Sequence, residues 1–259
     1  MGVSETFVKL SSGWLFYKQR GNGFPLCLVP AAGNSSWVWS KVFDRLAERF
    51  TVYAVDLPGY DRSETPQRVY GVEDYADTVR EFLDHFAIQR SLFVGNQTGA
   101  MVSLHLAAHA PDLVAKLVLV SCPGWTAAEG RKVYERSILP SCDAAGVPLQ
   151  RSTEEIRESV VGADPELMAF MNSMLARSGS WNTFVHERVT SYDVPEQLPR
   201  IHCPTLLIYG EHDVQLRRQD RMTQGIEGSR TAIVPGASSI SFYEQPDAFL
   251  KQVMPFLEA

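Results

Sequence analysis

The sequence predicts an α/β fold: a mostly parallel, eight-stranded sheet flanked by helices, with a helical lid inserted late in the chain. Three observations carry this expectation. From residue 25 onward, short apolar runs alternate with longer segments of helical period, the pattern of β-α units. Each crossover between these runs is short, as βαβ units require. One stretch, residues 123–198, breaks the alternation with helical patterns and no convincing strand. A chain of 259 residues is long enough to close one large core, and its 45% hydrophobic and 21% charged residues are ordinary globular values.

Each element follows in order. Residues 6–10 and 14–18, separated by Ser-Ser-Gly, read as a leading hairpin. The runs at 25–29, 51–55, 91–94, 113–120, 205–209 and 231–234 supply the remaining strands. Helical period appears at 37–47, 72–86, 98–109 and 244–257, the last with Phe249, Leu250, Val253, Phe256 and Leu257 on one stripe. The domain reading is therefore a core built from residues 1–122 and 199–259 around a lid at 123–198. Met168, Met171, Met174, Trp181 and Phe184 form an apolar stripe within that lid, expected chiefly to pack its helices together.

Composition excludes several function classes. The net charge of -6, with no run of lysine or arginine, offers no electrostatic footprint for a polyanion, so no nucleic-acid partner is expected. No apolar run approaches the roughly 20 residues that span a bilayer, and the N-terminus lacks a signal-peptide pattern; the expectation is a cytoplasmic chain without a membrane partner. Cys27, Cys122, Cys142 and Cys203 form no C-x-x-C pair, so neither disulfides nor zinc is expected. No metal and no cofactor is predicted.

Five strings carry a more specific signal: VDLPGYDRSE at 55–64, VGNQTGAMVSLHLA at 94–107, LVLVSCPGW at 117–125, CPTLLIYGEHD at 203–213 and VPGASSISFYEQPDAF at 234–249. In order, spacing and wording they resemble the lidded α/β-hydrolase family over nearly the whole chain except the lid. The resemblance implies a G-x-S-x-G nucleophile elbow between a strand and a helix, an acid after a late strand, and a histidine before the last helix.

Two of those three positions depart from the family. The elbow reads Gly95-Asn96-Gln97-Thr98-Gly99, with both glycines kept and the hydroxyl replaced by an amide, which cannot be activated by deprotonation near neutral pH. Counting back five residues from Glu244 places Ser239 at the histidine position, and no histidine follows His212. Asp213 occupies the acid position but has no imidazole there to orient, so the proton relay of a Ser-His-Asp triad cannot operate. The loop reading Pro30-Ala31-Ala32-Gly33-Asn34-Ser35-Ser36-Trp37 stands where the family has H-G-x-G. By alignment the backbone N–H groups of Ala32 and Thr98 would form an oxyanion hole, which survives side-chain replacement.

Asn34, Tyr60, Asn96, Cys122 and Trp125 are further pocket candidates. For Cys122 packing is favoured over nucleophilic chemistry, because no base is visible near it. His105 is expected to be packed, His109 solvent-facing, and His85, His186 and His202 at the surface. Two functional readings follow. The first is a non-hydrolytic enzyme of lyase, isomerase or cyclase type, acting on a small, largely apolar metabolite through the oxyanion site with Gln97, Asp213 and Ser239. The second is an inactive relative that binds a small apolar ligand or a partner protein.

Overall fold

The computed structural model describes residues 2–259. Its centre is an eight-stranded sheet in the order β1-β2-β4-β3-β5-β6-β7-β8. β1 (Ser4–Leu10), β2 (Gly13–Arg20) and β4 (Phe50–Val55) pair antiparallel. β3 (Phe24–Val29), β5 (Ser91–Asn96), β6 (Val114–Val120), β7 (Thr205–Gly210) and β8 (Arg230–Val234) continue the sheet in parallel from β4. Every residue of β5 and β7 is buried, as central parallel strands covered on both faces are.

Two apolar cores cover the two faces of this sheet. Val72, Val79, Phe82 and Leu83 of α2 (Val72–His85) and Met101, Leu104 and Leu106 of α3 (Thr98–His109) fill one. Phe43 and Leu46 of α1 (Phe43–Ala47), with Phe249, Leu250, Val253 and Leu257 of the C-terminal helix, fill the other. Between β6 and β7 the chain forms α4 (Ala127–Val133), α5 (Thr153–Ser159), α6 (Pro165–Ser178) and α7 (Ser180–Thr190), with a five-residue π-type turn at Tyr134–Ile138. After β7 come α8 (Gln219–Gly225), α9 (Ser241–Glu244) and α10 (Pro246–Glu258).

Three details differ from the sequence-based expectation. The helix expected over 37–47 is broken into a 3-10 turn at Ser36–Trp39 and the short α1, with Ser35 capping the turn through its side chain. α8 was not expected, because its short sequence QDRMTQG buries just one residue, Met222, and carries no apolar stripe. Within the lid stripe, Met174 is buried as expected, whereas Phe184 is exposed on the outer face of α7.

The registers position the functional loops. Val29 pairs with Gly95, Asn96 with Val120, Val120 with Ile208, and Gly210 with Val234. The carboxyl ends of β3, β5, β6, β7 and β8 are therefore nearly flush. β3 lies between β4 and β5, so the chain direction through the sheet reverses there, and open α/β sheets form their ligand crevice at such a switch point. No helix of the described residues is long and apolar enough to cross a membrane.

Candidate active site

Gln97 sits in the sharp turn between β5 and α3 with φ 47° and ψ −108°. This is left-handed backbone that a residue with a Cβ adopts only under constraint from its surroundings. The constraints are visible: the Gln97 N–H donates to the Val120 carbonyl at 3.0 Å, and its own carbonyl accepts from Met101 N–H at 3.0 Å. The two flanking glycines permit the close approach. A Cβ on Gly95 would stand 2.3 Å from the Gly99 carbonyl oxygen, and one on Gly99 would stand 2.1 Å from that of Val29. Asp61 (φ 47°) and Ser121 (φ 52°) repeat the strained conformation in the loops after β4 and at the end of β6. Three of the four non-glycine residues at positive φ among the described residues thus lie along this edge of the sheet; the fourth, Ala87 (φ 53°), lies in the loop before β5.

Thr98 opens α3, so its N–H is one of the first-turn donors without an intrahelical acceptor. Ala32 lies in the turn after β3, closed by the Asn34 N–H donating to the Ala31 carbonyl at 3.0 Å, with Gly33 in left-handed geometry. Because Val29 and Gly95 are register partners, these two N–H-bearing loops are neighbours.

Asp213 is 5% exposed at the end of β7. One carboxylate oxygen accepts the Gln215 N–H at 2.8 Å, and Oδ2 has no protein partner. Burial raises its pKa; the Gln215 N–H and the neighbouring Ser121 hydroxyl pull the other way. Around it lie other buried polar atoms without a hydrogen-bond partner: Ser121 Oγ, Asn96 Oδ1 and Tyr209 Oη. Asp213 and Cys122 both act electrostatically on Tyr209, whose phenol is raised chiefly by burial. Ser239 is partly buried and its carbonyl accepts from Asn96 Nδ2 at 2.8 Å. Asn96, Ser121, Tyr209, Asp213 and Ser239 thus gather beneath the elbow.

A cavity of about 580 Å³ opens above this edge. Ala32, Gly33, Asn34 and Gln97 form its wall on the sheet side; Ile138, Cys142, Leu149, Met171, Leu175, Asn182, Thr183 and His186 line it from the helical segment. Arg151, Glu155 and Glu158 make part of the wall polar, so the cavity is less apolar than the sequence suggested. Of the expected pocket residues, Asn34 lines it. Tyr60, Asn96, Cys122 and Trp125 are buried elsewhere: Tyr60 donates to Asn182 Oδ1 at 3.3 Å, and the Cys122 thiol is pushed up to about 12 by complete burial, which removes it as a nucleophile. Asp213 and Ser239 do not line the cavity either, and the Thr98 side chain is buried at the start of α3 next to Gln97, which does.

The sequence reading missed the contribution of α7. His186, expected at the surface, is partly buried and faces the cavity. Its Nδ1 lies 2.7 Å from the Asn182 carbonyl, and burial lowers its pKa. Cys142 also lines the cavity, with its Sγ 3.1 Å from Thr183 Oγ1 and 3.3 Å from the Ile138 carbonyl.

Comparison with known proteins places this geometry in a lineage. Residues 28–252 match the model of the Alpha/beta hydrolase family. The chain belongs to that family. A protein of Vibrio vulnificus named pimeloyl-[acyl-carrier protein] methyl ester esterase is 28% identical over 93% of this chain and 97% of its own length. A protein of the same name from Vibrio atlanticus is 28% identical over 95% and 99%. Among solved structures, a hydrolase from Pseudomonas aeruginosa is 26% identical, superposes with a TM-score of 0.79, and covers 98% of both chains. These findings correct the expectation of a non-hydrolytic lyase, isomerase or cyclase: relatives matched over almost the full length of this hydrolase-family chain carry the names of esterases and a hydrolase. The physical reason for the error is that the loss of a serine removes one covalent route and does not by itself exclude hydrolysis, which water attacking a polarised carbonyl can also carry out.

Proposed function

We propose that this chain hydrolyses a small carboxylic ester by direct attack of water, without an acyl-enzyme. The observation that carries the reading is the elbow: Gln97 is held in strained left-handed geometry in the wall of the cavity, beside the Ala32 loop. In this reading the ester carbonyl oxygen takes hydrogen bonds from the Thr98 and Ala32 N–H groups, which carry the charge that develops on it. The Gln97 amide, a donor and an acceptor but not a nucleophile, aims the attacking water. Asp213 and Ser239, with the unpaired polar atoms around them, form the polar floor under the elbow. The segment from α4 to α7 serves as the lid, and the cavity volume suits a small organic substrate. The names of the Vibrio relatives support an ester as the substrate class.

The test is steady-state and rapid-mixing hydrolysis of p-nitrophenyl butyrate. Direct water attack predicts turnover without a burst, no serine labelled by a fluorophosphonate, and a fall in kcat on the order of a hundredfold in Gln97→Ala through lost positioning. A trapped acyl-enzyme on any serine, or no turnover across a panel of short acyl esters, would overturn the reading.

A further inference from the structure

Hydrolysis by water needs a base that reaches the cavity, and position 239 no longer supplies an imidazole. We propose that His186, carried on α7, is that base. This rests on the hydrolase reading above and adds the residue that reading lacks.

Four observations converge on His186. It lines the same cavity as Gln97 and Ala32. Its helix is seated on the oxyanion loop: a Cβ added at Gly33 would stand 3.1 Å from Asn182 Oδ1, and His186 follows Asn182 by one helical turn, about 6 Å along the axis. Its tautomer is fixed, because the Asn182 carbonyl 2.7 Å from Nδ1 can only accept; Nδ1 therefore carries the proton and Nε2 keeps the lone pair. Burial lowers its pKa, so the ring is neutral at physiological pH and able to accept a proton. The other histidines do not meet these conditions: His85, His109, His202 and His212 are exposed, and His105, in the second half of α3, does not line the cavity and has Nδ1 2.9 Å from the Tyr192 hydroxyl.

The step balances without a further reactant. Nε2 takes one proton from water as its oxygen bonds to the acyl carbon. When the tetrahedral species collapses, the bond to the alkoxy group breaks and the imidazolium returns that proton to the departing alkoxide. The products are one carboxylic acid and one alcohol, and His186 is again neutral.

The experiment compares wild type, His186→Ala and His202→Ala with p-nitrophenyl butyrate, and repeats His186→Ala with added imidazole. Loss of a general base predicts a fall in kcat of about a hundredfold or more, little change in KM, and partial recovery with imidazole but not with an equal concentration of a non-basic azole. His202→Ala should behave as wild type. If His186→Ala does not fold, His186→Gln is measured instead, with the same expected loss. An active wild type whose folded His186 variant keeps its kcat, or loses it without recovery by imidazole, overturns the base assignment alone. An inactive wild type overturns the hydrolase reading, and this assignment with it.

Discussion

Asp56 illustrates at the residue scale how burial of a single carboxylate becomes a property of the protein. It is fully buried after β4 and accepts the Ser36 N–H at 2.7 Å, while Arg62 Nε stays 3.8 Å away. Desolvation outweighs these partners and pushes its pKa up to about 6. Because the folded pKa lies above the unfolded one, its contribution to stability is fully present below about pH 4 and is lost as pH rises through 6. Asp56→Asn keeps an acceptor for Ser36 but cannot ionise. The free-energy difference between wild type and Asp56→Asn should therefore shift by up to about 3 kcal/mol between pH 4 and pH 8, against the wild type at high pH. Urea unfolding of both proteins at the two pH values measures it, and a pH-independent difference would show an ordinary carboxylate. Nothing in the string VDLPGY announces this shift, since desolvation depends on what packs over Asp56. Gln97, Asp213 and Ser239, by contrast, are located by the resemblance to the α/β-hydrolase family, whose motifs stand beside a recognisable strand or helix.

Elements were legible where burial is continuous and obscure where it is shared. β5, β6 and β7 could be read to within two residues because central parallel strands are apolar on both faces. α7 could not be read as part of a site. Its sequence SWNTFVHERVT is of mixed polarity, and helical spacing does not say which face meets a cavity made by a loop about 150 residues earlier. Contact between elements is sharpest at the elbow, where α3 presses on β3 through Gly99. A methyl group there would stand 2.1 Å from the Val29 carbonyl and 2.5 Å from that of Pro30, both backbone atoms that cannot rotate away. Gly99→Ala should cost about 2–3 kcal/mol by overpacking. It should also lower kcat, because the strand end that must yield leads directly into the Ala32 loop. Thermal unfolding and p-nitrophenyl butyrate turnover on the same preparation check both, and an unchanged melting temperature would mean that α3 shifts freely on the sheet.

For the whole molecule, the helical segment is joined to the two cores that grip the sheet. Leu167 and Ile156 enter one core and Met174, Val185 and Val189 the other, and further contacts fasten the segment at its margin. Trp181 covers Gly59, Arg177 pairs with Asp61, Tyr243 donates to Asp164 at 3.2 Å, and Phe170 of α6 stacks on Trp37 at 4.3 Å. We expect the contacts at the margin to give way first, so that the segment opens locally below the global unfolding free energy. Removing one should therefore loosen the segment without loosening the sheet. Phe170→Ala deletes the stack with Trp37 and should lower the opening free energy of α6 by about 1 kcal/mol, raising its amide exchange roughly fivefold. Amides of β5 should exchange as a separate, slower unit, changed only as far as global stability changes. Native-state hydrogen exchange resolved by element distinguishes the cases. Equal acceleration in α6 and β5 would show that segment and sheet open as one body, and that substrate reaches the Gln97 wall by some route other than movement of α6.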